Sequence, residues 1–231
     1  MSTPEPGVSN ETVVGTYDRL AALYDRLVAP LESGTRERAL DLLGLDSGER
    51  VVEVGCGPGR AAVAFAGRVG PAGRVVGVDA APGMLAHARR RTVRTGATDW
   101  TALVLGDARS LPLRDGVADV AFVEDTLELF AADELPGVVG ELRRVLRADG
   151  RLCVVTMERS GAEDDPFVRA YDWAFEHVPG YDRVGCRPVY ARRALETGGF
   201  DVERRELNDA CEPPGTVIRT VVIRYRRREP R

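Results

Sequence analysis

The sequence predicts a doubly wound α/β fold: a mostly parallel seven-stranded sheet flanked by helices, with an antiparallel closing strand. Three observations carry that expectation. Short runs rich in β-branched residues alternate with helical stretches between Val51 and Thr156, the pattern of successive βαβ units. The first run, Val51-Val52-Glu53-Val54, ends in a glycine-rich turn, Gly55-Cys56-Gly57-Pro58-Gly59, before a helical stretch opens at Ala61. The second and third runs end at acids, Asp79 and Asp107, and one right-handed crossover brings successive strand ends to the same side of the sheet.

Composition bounds the possibilities. At 231 residues and 44% apolar content the chain is long enough for one generous domain. The net charge of −4 speaks against a general nucleic-acid binder, although all 32 basic residues are arginine. No apolar run reaches the roughly 18 residues of a membrane span, and the acidic, polar N-terminus lacks a signal-peptide core. Cys56, Cys153, Cys186 and Cys211 form no C-x-x-C pair, which fits a reduced cytoplasmic compartment. The expected organisation is a disordered segment over 1–15, one domain over 16–226 with an insertion at 160–188, and a basic tail over 227–231. Oligomeric state is left open.

Taken in order, helical spacing begins near Thr16, with Tyr17, Leu20, Leu23, Tyr24 and Leu27 on one face. Pro30 and Gly34 interrupt it, and a second helix is expected over Thr35–Leu43, ended by Gly44. After the glycine turn a helix is predicted over Ala61–Val69, broken by Pro71-Ala72-Gly73. A strand over Arg74–Asp79, a helix over Pro82–Thr95 and a strand over Thr101–Leu105 follow. The fourth strand passes through Asp119 and Phe122 and leaves at Glu124-Asp125; a helix over Leu135–Leu146 leads to a strand over Arg151–Thr156. Pro166 opens a helix reaching His177, and another runs over Tyr190–Thr197 to Gly198-Gly199. The sixth strand starts at Phe200. The seventh, over Thr216–Tyr225, follows without an intervening helix, so the two form an antiparallel pair.

The glycine spacing is informative. A dinucleotide fingerprint needs Gly or Ala where Arg60 stands. What is present is G-x-G-x-G with Glu53 two places before the first glycine, and a carboxylate beside the turn attracts a ligand ammonium group but repels a pyrophosphate. This arrangement resembles the first motif of class I S-adenosylmethionine-dependent methyltransferases. Asp79 follows Gly55 at close to the roughly 20-residue spacing at which a strand-end carboxylate reaches ribose hydroxyls; the alternative is a helix N-cap before Pro82. The run Gly106-Asp107-Ala108…Leu111-Pro112-Leu113…Asp119-Val120-Ala121-Phe122 is similar to the same family, which makes Asp107 the acceptor for the adenine amine; otherwise it caps a turn.

The segment Tyr17-Asp18-Arg19-Leu20-Ala21-Ala22-Leu23-Tyr24-Asp25 resembles the N-terminal helix of the ubiquinone/menaquinone biosynthesis group, and Glu141 to Gly150 its E-x-x-R-V-L-K-P-G-G segment, with Ala148-Asp149 in place of Pro-Gly. Thr156 and Glu158 stand where the quinone enzymes carry an acid and a serine, so the quinone substrate does not follow. The resemblance implies S-adenosyl-L-methionine as cofactor, held by Tyr17, Glu53, Gly55, Cys56, Gly57, Gly59, Asp79, Ala80, Met84, Asp107, Ala108 and Glu124. For Tyr17 and Met84, plain packing competes with a cofactor role.

The implied activity is methyl transfer to a C, O or N atom of a small-molecule acceptor: quinone-like, lipid or other metabolite. A non-catalytic S-adenosylmethionine-binding module is the alternative, and Glu53 with Arg60 speaks against an NAD-linked oxidoreductase. The candidates for proton handling are Glu124, Asp125, His177 and Tyr181, while His87 reads as a solvated helix-face residue. No nucleophile or metal constellation is visible, which agrees with direct transfer. Aromatics of the insertion, Tyr171, Trp173 and Phe175, suit either an acceptor pocket or packing.

Overall fold

Strand alternation decides how this chain layers. The computed structural model describes residues 12, 14–19, 33–159, 166–179, 188–208 and 220–227. In chain order the elements are α1 (Ser33–Leu43), β1 (Arg50–Val54), α2 (Arg60–Val69), β2 (Arg74–Asp79), α3 (Pro82–Thr95), β3 (Thr101–Leu105), β4 (Ala118–Glu124), α4 (Leu135–Val145), β5 (Leu146–Met157), α5 (Pro166–His177), α6 (Ala191–Thr197), β6 (Phe200–Asn208) and β7 (Thr220–Arg227). Residues 14–19 are also helical, whereas Leu20, Leu23, Tyr24 and Leu27 lie outside the described residues.

The strands form one sheet in the order β3-β2-β1-β4-β5-β7-β6. β1 to β5 run parallel, and β7 is antiparallel to both β5 and β6. Successive side chains of a strand point to opposite faces, so each strand feeds two cores. Val51, Val75, Val120, Phe122, Cys153 and Val155 meet Ala39 and Leu43 of α1 and Ala62, Phe65 and Ala66 of α2. Val52, Val54, Val78, Ala121, Val123, Leu152 and Val154 meet Val138, Val139 and Leu142 of α4 and Leu195 of α6. Phe65 and Phe122 lock the first layer edge to face, their ring centroids 4.9 Å apart.

Arginines tie down the N-terminal end of the sheet. Asp119 at the start of β4 accepts from the backbone N–H of Arg50 at 2.7 Å and from the guanidiniums of Arg50 and Arg147 at 3.0 and 2.6 Å. Most predicted bounds recur to within two residues. The exception is β5, which begins at Leu146 instead of Arg151. Leu146 already pairs with Ala118, and Arg151 with Val120, so Ala148-Asp149-Gly150 bulges out of a continuous strand where a turn was expected. Residues 209–215 and the start of the expected seventh strand lie outside the described residues.

Moving outward along the sheet in sequence order, the crossovers reverse direction between β1 and β4. An open α/β sheet forms its ligand crevice at that reversal, outside the strand carboxyl ends.

Candidate cofactor site and its neighbours

The glycine turn after β1 is held by close packing as well as by backbone bonds. Gly55, Gly57 and Gly59 all adopt positive φ (74°, 49° and 75°), which glycine populates without a Cβ penalty. Gly55 and Cys56 both donate N–H to the Val78 carbonyl, at 2.8 and 3.0 Å, so the turn is pinned to β2. A Cβ on Gly55 would sit 2.1 Å from Oγ1 of buried Thr126, and one on Gly59 2.8 Å from Cβ of Ala88 in α3. The turn is therefore clamped between the β4 exit and α3. The Cys56 side chain is buried and occupies the space that Gly77 leaves on β2. Burial pushes its thiol well above the usual range, so Cys56 packs and does not act as a nucleophile.

Asp79 closes β2 and holds the turn from the other side. Its Oδ2 accepts from Gly57 N–H at 2.7 Å and its Oδ1 from Ala81 N–H at 2.8 Å. Burial raises its pKa, against the pull of the Ala81, Gly57 and Ala80 N–H groups. A carboxylate has about four acceptor positions, so two backbone bonds leave capacity for a ligand hydroxyl. Ala80 lies between these contacts. Met84, 2% exposed, packs with Ala81 against Val14 and Tyr17 of the N-terminal helical residues. Asp18 accepts from Gly83 N–H at the N-terminus of α3, which brings that helical segment over the start of α3.

Asp107 is strongly engaged. Arg109 donates to it from Nε (3.1 Å), Nη2 (2.6 Å) and the backbone N–H (2.9 Å), and also pairs with Glu134 at 2.6 Å. The Arg109 hydrogen bonds hold its carboxyl below the usual range. It is a turn anchor here, and any adenine contact shares its oxygens with Arg109. Ala108 packs into the α4-side core, 8% exposed.

Glu53 is the most unusual group. It is 3% exposed, and Ala62 N–H donates to one of its oxygens. Its Oε2 is buried with no hydrogen bond among the described residues. Burial drives its pKa well up, and the Glu124 carboxylate adds to this, while the Arg36 guanidinium works the other way. A buried bare carboxylate oxygen at the glycine turn fits a ligand ammonium group, which would supply the missing donor.

Glu124, a candidate for proton handling and for cofactor binding, forms an ion pair with Arg36: Nε stands 3.0 Å from Oε2, and each side chain is 10% exposed. Its Oε2 is thereby engaged in charge pairing. Asp125 has φ 46°, the sole positive φ outside glycine among the described residues. Such strain concentrates at functional sites, and Asp tolerates it better than most. His177 lies exposed at the end of α5, stacked on Trp173 with centroids 5.3 Å apart and Nδ1 2.9 Å from the Trp173 carbonyl. Tyr181 lies outside the described residues. α5 is tied to the β5 exit by a two-point pair between Arg159 and Asp172, and Arg159 also covers the Tyr190 ring at 5.9 Å.

Two buried groups are absent from the sequence-derived site. Arg36 shares the buried stripe of α1 with Ala39, Leu40 and Leu43, and a charge at that helical spacing was the available signal. Glu128, 1% exposed, accepts from Thr156 Oγ1 at 2.5 Å and Met157 N–H at 2.7 Å; it follows β4 with no periodicity to betray its burial.

Known proteins match this architecture. Residues 51–150 match the family model of the methyltransferase domain. A 37.1 kDa protein of transposon TN4556 from Streptomyces fradiae is 41% identical over 49% of this chain, which spans 31% of that protein's length. The 2-phytyl-1,4-naphtoquinone methyltransferase of Trichormus variabilis is 27% identical over 85% of this chain and 86% of its own. Among solved structures, geranyl diphosphate C-methyltransferase from Streptomyces coelicolor A3(2) superposes with a TM-score of 0.68 at 17% identity, over 97% of this chain and 91% of that one. Residues 51–150 are thus a methyltransferase domain, and the chain is similar to class I S-adenosylmethionine-dependent methyltransferases. Within that class it is related to the quinone-methylating enzymes, and its cofactor is S-adenosylmethionine. No described helix is long and apolar enough to cross a membrane.

Glu53 supplies a pH test of the site. A carboxyl whose folded pKa is raised contributes stability below its unfolded pKa, near 4.5, and that contribution is lost as pH rises through the folded value. Glu53→Gln should therefore stabilise the cofactor-free protein increasingly from about pH 4.5 upward. The same variant should bind S-adenosylmethionine more weakly. Melting temperatures across pH, with and without cofactor, check both signs; a pH-independent difference would contradict the assignment.

Proposed function

We propose that the cofactor lies along the strand ends in its own chemical order, and that the chain transfers its methyl to a C, O or N atom of a small-molecule acceptor. One observation carries this reading. Along the sheet order β3-β2-β1-β4, the ends present Asp107, Asp79, the glycine turn with Glu53, and Glu124. Adenine, ribose and amino-acid end of S-adenosylmethionine follow the same sequence. Asp107 then takes the adenine amine, Asp79 the ribose hydroxyls and Glu53 the ammonium, while Tyr17 and Met84 close over the start of α3.

The cofactor supplies an electrophilic methyl on a sulfonium, so the chain mainly orients the reactants and excludes water. Asp125 is the strand-exit carboxylate best placed to hold an acceptor proton, since Glu124 is paired with Arg36. The 160–188 insertion, with α5 and His177, forms the acceptor side in this reading. The naphthoquinone named for one matched protein favours an apolar ring as acceptor. Two free buried cysteines, Cys56 and Cys153, support a reduced cytoplasmic setting.

Thermal-shift titration with S-adenosylhomocysteine and NAD, followed by a labelled-methyl screen against metabolite extracts, tests the reading. Stabilisation by the first ligand alone and a labelled small molecule are expected. With an acceptor in hand, His177→Ala should reduce turnover several-fold while changing cofactor affinity by less than about twofold, because the cofactor contacts come from other turns. Equal loss of both would make the insertion a cofactor lid.

A further inference from the structure

Glu128 is a buried acid that no sequence motif assigns. β4 leaves the sheet at Asp125, whose N–H donates to the Val155 carbonyl of β5 at 3.0 Å. The next turn, Leu127–Leu129, is drawn inward by Leu127, a member of the α4-side core. That folds Glu128 over the β5 exit, where its Oε1 accepts from Thr156 Oγ1 and from Met157 N–H. Its Oε2 is buried with no hydrogen bond among the described residues. No cation answers it there. Arg159, just beyond β5, pairs with Asp172, and Arg192 of α6 pairs with Glu196. The titratable neighbour is Glu158, whose own Oε2 accepts from Arg192 N–H.

We propose that Glu128 selects the methyl acceptor: its Oε2 hydrogen-bonds a carbonyl oxygen of that molecule, so the acceptor is an enolisable carbonyl compound. The inference rests on the reading given above, in which the cofactor spans the β3 to β4 ends and leaves the β4 and β5 exits to the acceptor. The argument turns on which oxygen is free. Two donors converge on Oε1, so Oε1 takes the carbonyl role, and a proton on the group sits on Oε2. Burial pushes the carboxyl toward that protonated form and Glu158 adds to it, against the pull of Thr156 and Met157. A buried O–H without an acceptor is costly, and a ligand carbonyl oxygen relieves it. The chemistry follows from the contact. A donor on a carbonyl oxygen draws electrons from the adjacent carbon and eases loss of its proton, a task suited to a carboxylic acid kept neutral. That proton passes to Asp125, the enolate carbon or oxygen takes the methyl, and the sulfur keeps the electron pair of the broken bond. Glu128 holds its own proton throughout.

The test is calorimetry at saturating S-adenosylhomocysteine with two fused-ring probes: 1-tetralone, an enolisable ketone, and tetralin, the same rings without the oxygen. The parent protein should bind 1-tetralone about 5- to 50-fold more tightly than tetralin, the range of a buried hydrogen bond. Glu128→Leu should bring the two probes within about twofold. Glu128→Gln offers an amide N–H in place of the O–H and should keep the preference. In the parent the preference should fade as pH rises through the raised folded value of Glu128, because a carboxylate has no proton to donate; in Glu128→Gln it should not change with pH. A structural role alone would shift both probes together, and the glutamine variant with its pH series decides the matter should the leucine variant not fold. No ketone preference in the parent, a preference that survives Glu128→Leu, or matching pH profiles for the parent and Glu128→Gln overturns the proposal. If the parent fails to bind S-adenosylhomocysteine, the cofactor reading falls and this inference with it; if it binds and the ketone gains nothing, the Glu128 assignment alone falls.

Discussion

Gly55→Ala should cost about 2–5 kcal/mol of stability and weaken cofactor binding at least about tenfold. The first part is conformational: alanine at φ 74° costs about 1–2 kcal/mol. The second is steric. The new methyl would stand 2.1, 2.7 and 2.9 Å from Oγ1, Cγ2 and Cβ of Thr126, and overpacking of that kind costs about 1–3 kcal/mol. Thr126 cannot swing away freely, because it is 8% exposed and its hydroxyl donates to the Glu124 carbonyl at 2.8 Å. Gly57→Ala is the control. Its φ of 49° carries the conformational cost, but nothing lies within 4 Å of the added methyl, so about 1–2 kcal/mol is expected. Combining Gly55→Ala with Thr126→Ala should recover part of the steric share. Urea unfolding of the four proteins checks the separation, and equal losses at Gly55 and Gly57 would refute the clash.

Asp79→Ala should weaken S-adenosylhomocysteine and methylthioadenosine alike, by about 10- to 100-fold, since the ribose is common to both. Its effect on stability should be smaller. Gly57 and Ala81 N–H groups lose their acceptor, which destabilises, but a buried carboxylate whose burial raises its pKa is removed at the same time. The two terms oppose each other, so the loss appears mainly in ligand affinity. Asp79→Asn keeps one carbonyl oxygen for one of these N–H groups and presents its amide NH2 to the other, so the charge and one turn hydrogen bond are lost together. Calorimetry with an intact circular-dichroism spectrum decides; unchanged affinity in both variants would remove Asp79 from the ribose.

The two substitutions also mark how far local sequence reaches. Every glycine of the turn is legible, because only glycine accepts positive φ in succession without cost. That Thr126 lies on Gly55, and Ala88 on Gly59, is not, since these contacts join segments far apart in the chain. Asp107 shows the same divide. Its place after the third strand follows from the pattern, but the grip of Arg109, itself bridged to Glu134, needs α4 to be in position.

What the sequence by itself determined is the succession of elements and the acids at the strand ends. Alternating β-branched runs, glycine breaks and Pro82 at a helix start act over a few residues, and they placed α3 and β3 to the residue. It also determined that β6 and β7 pair antiparallel, since no helix separates them. Tertiary structure alone decided that β7 inserts between β5 and β6, leaving β6 at the edge. It alone brought Arg36 to Glu124 across 88 residues of chain and buried Glu128 beneath Thr156. The physical reason is range: backbone preference is set by neighbours in sequence, whereas the partner of a buried charge is set by which faces the packed helices and strands turn toward each other.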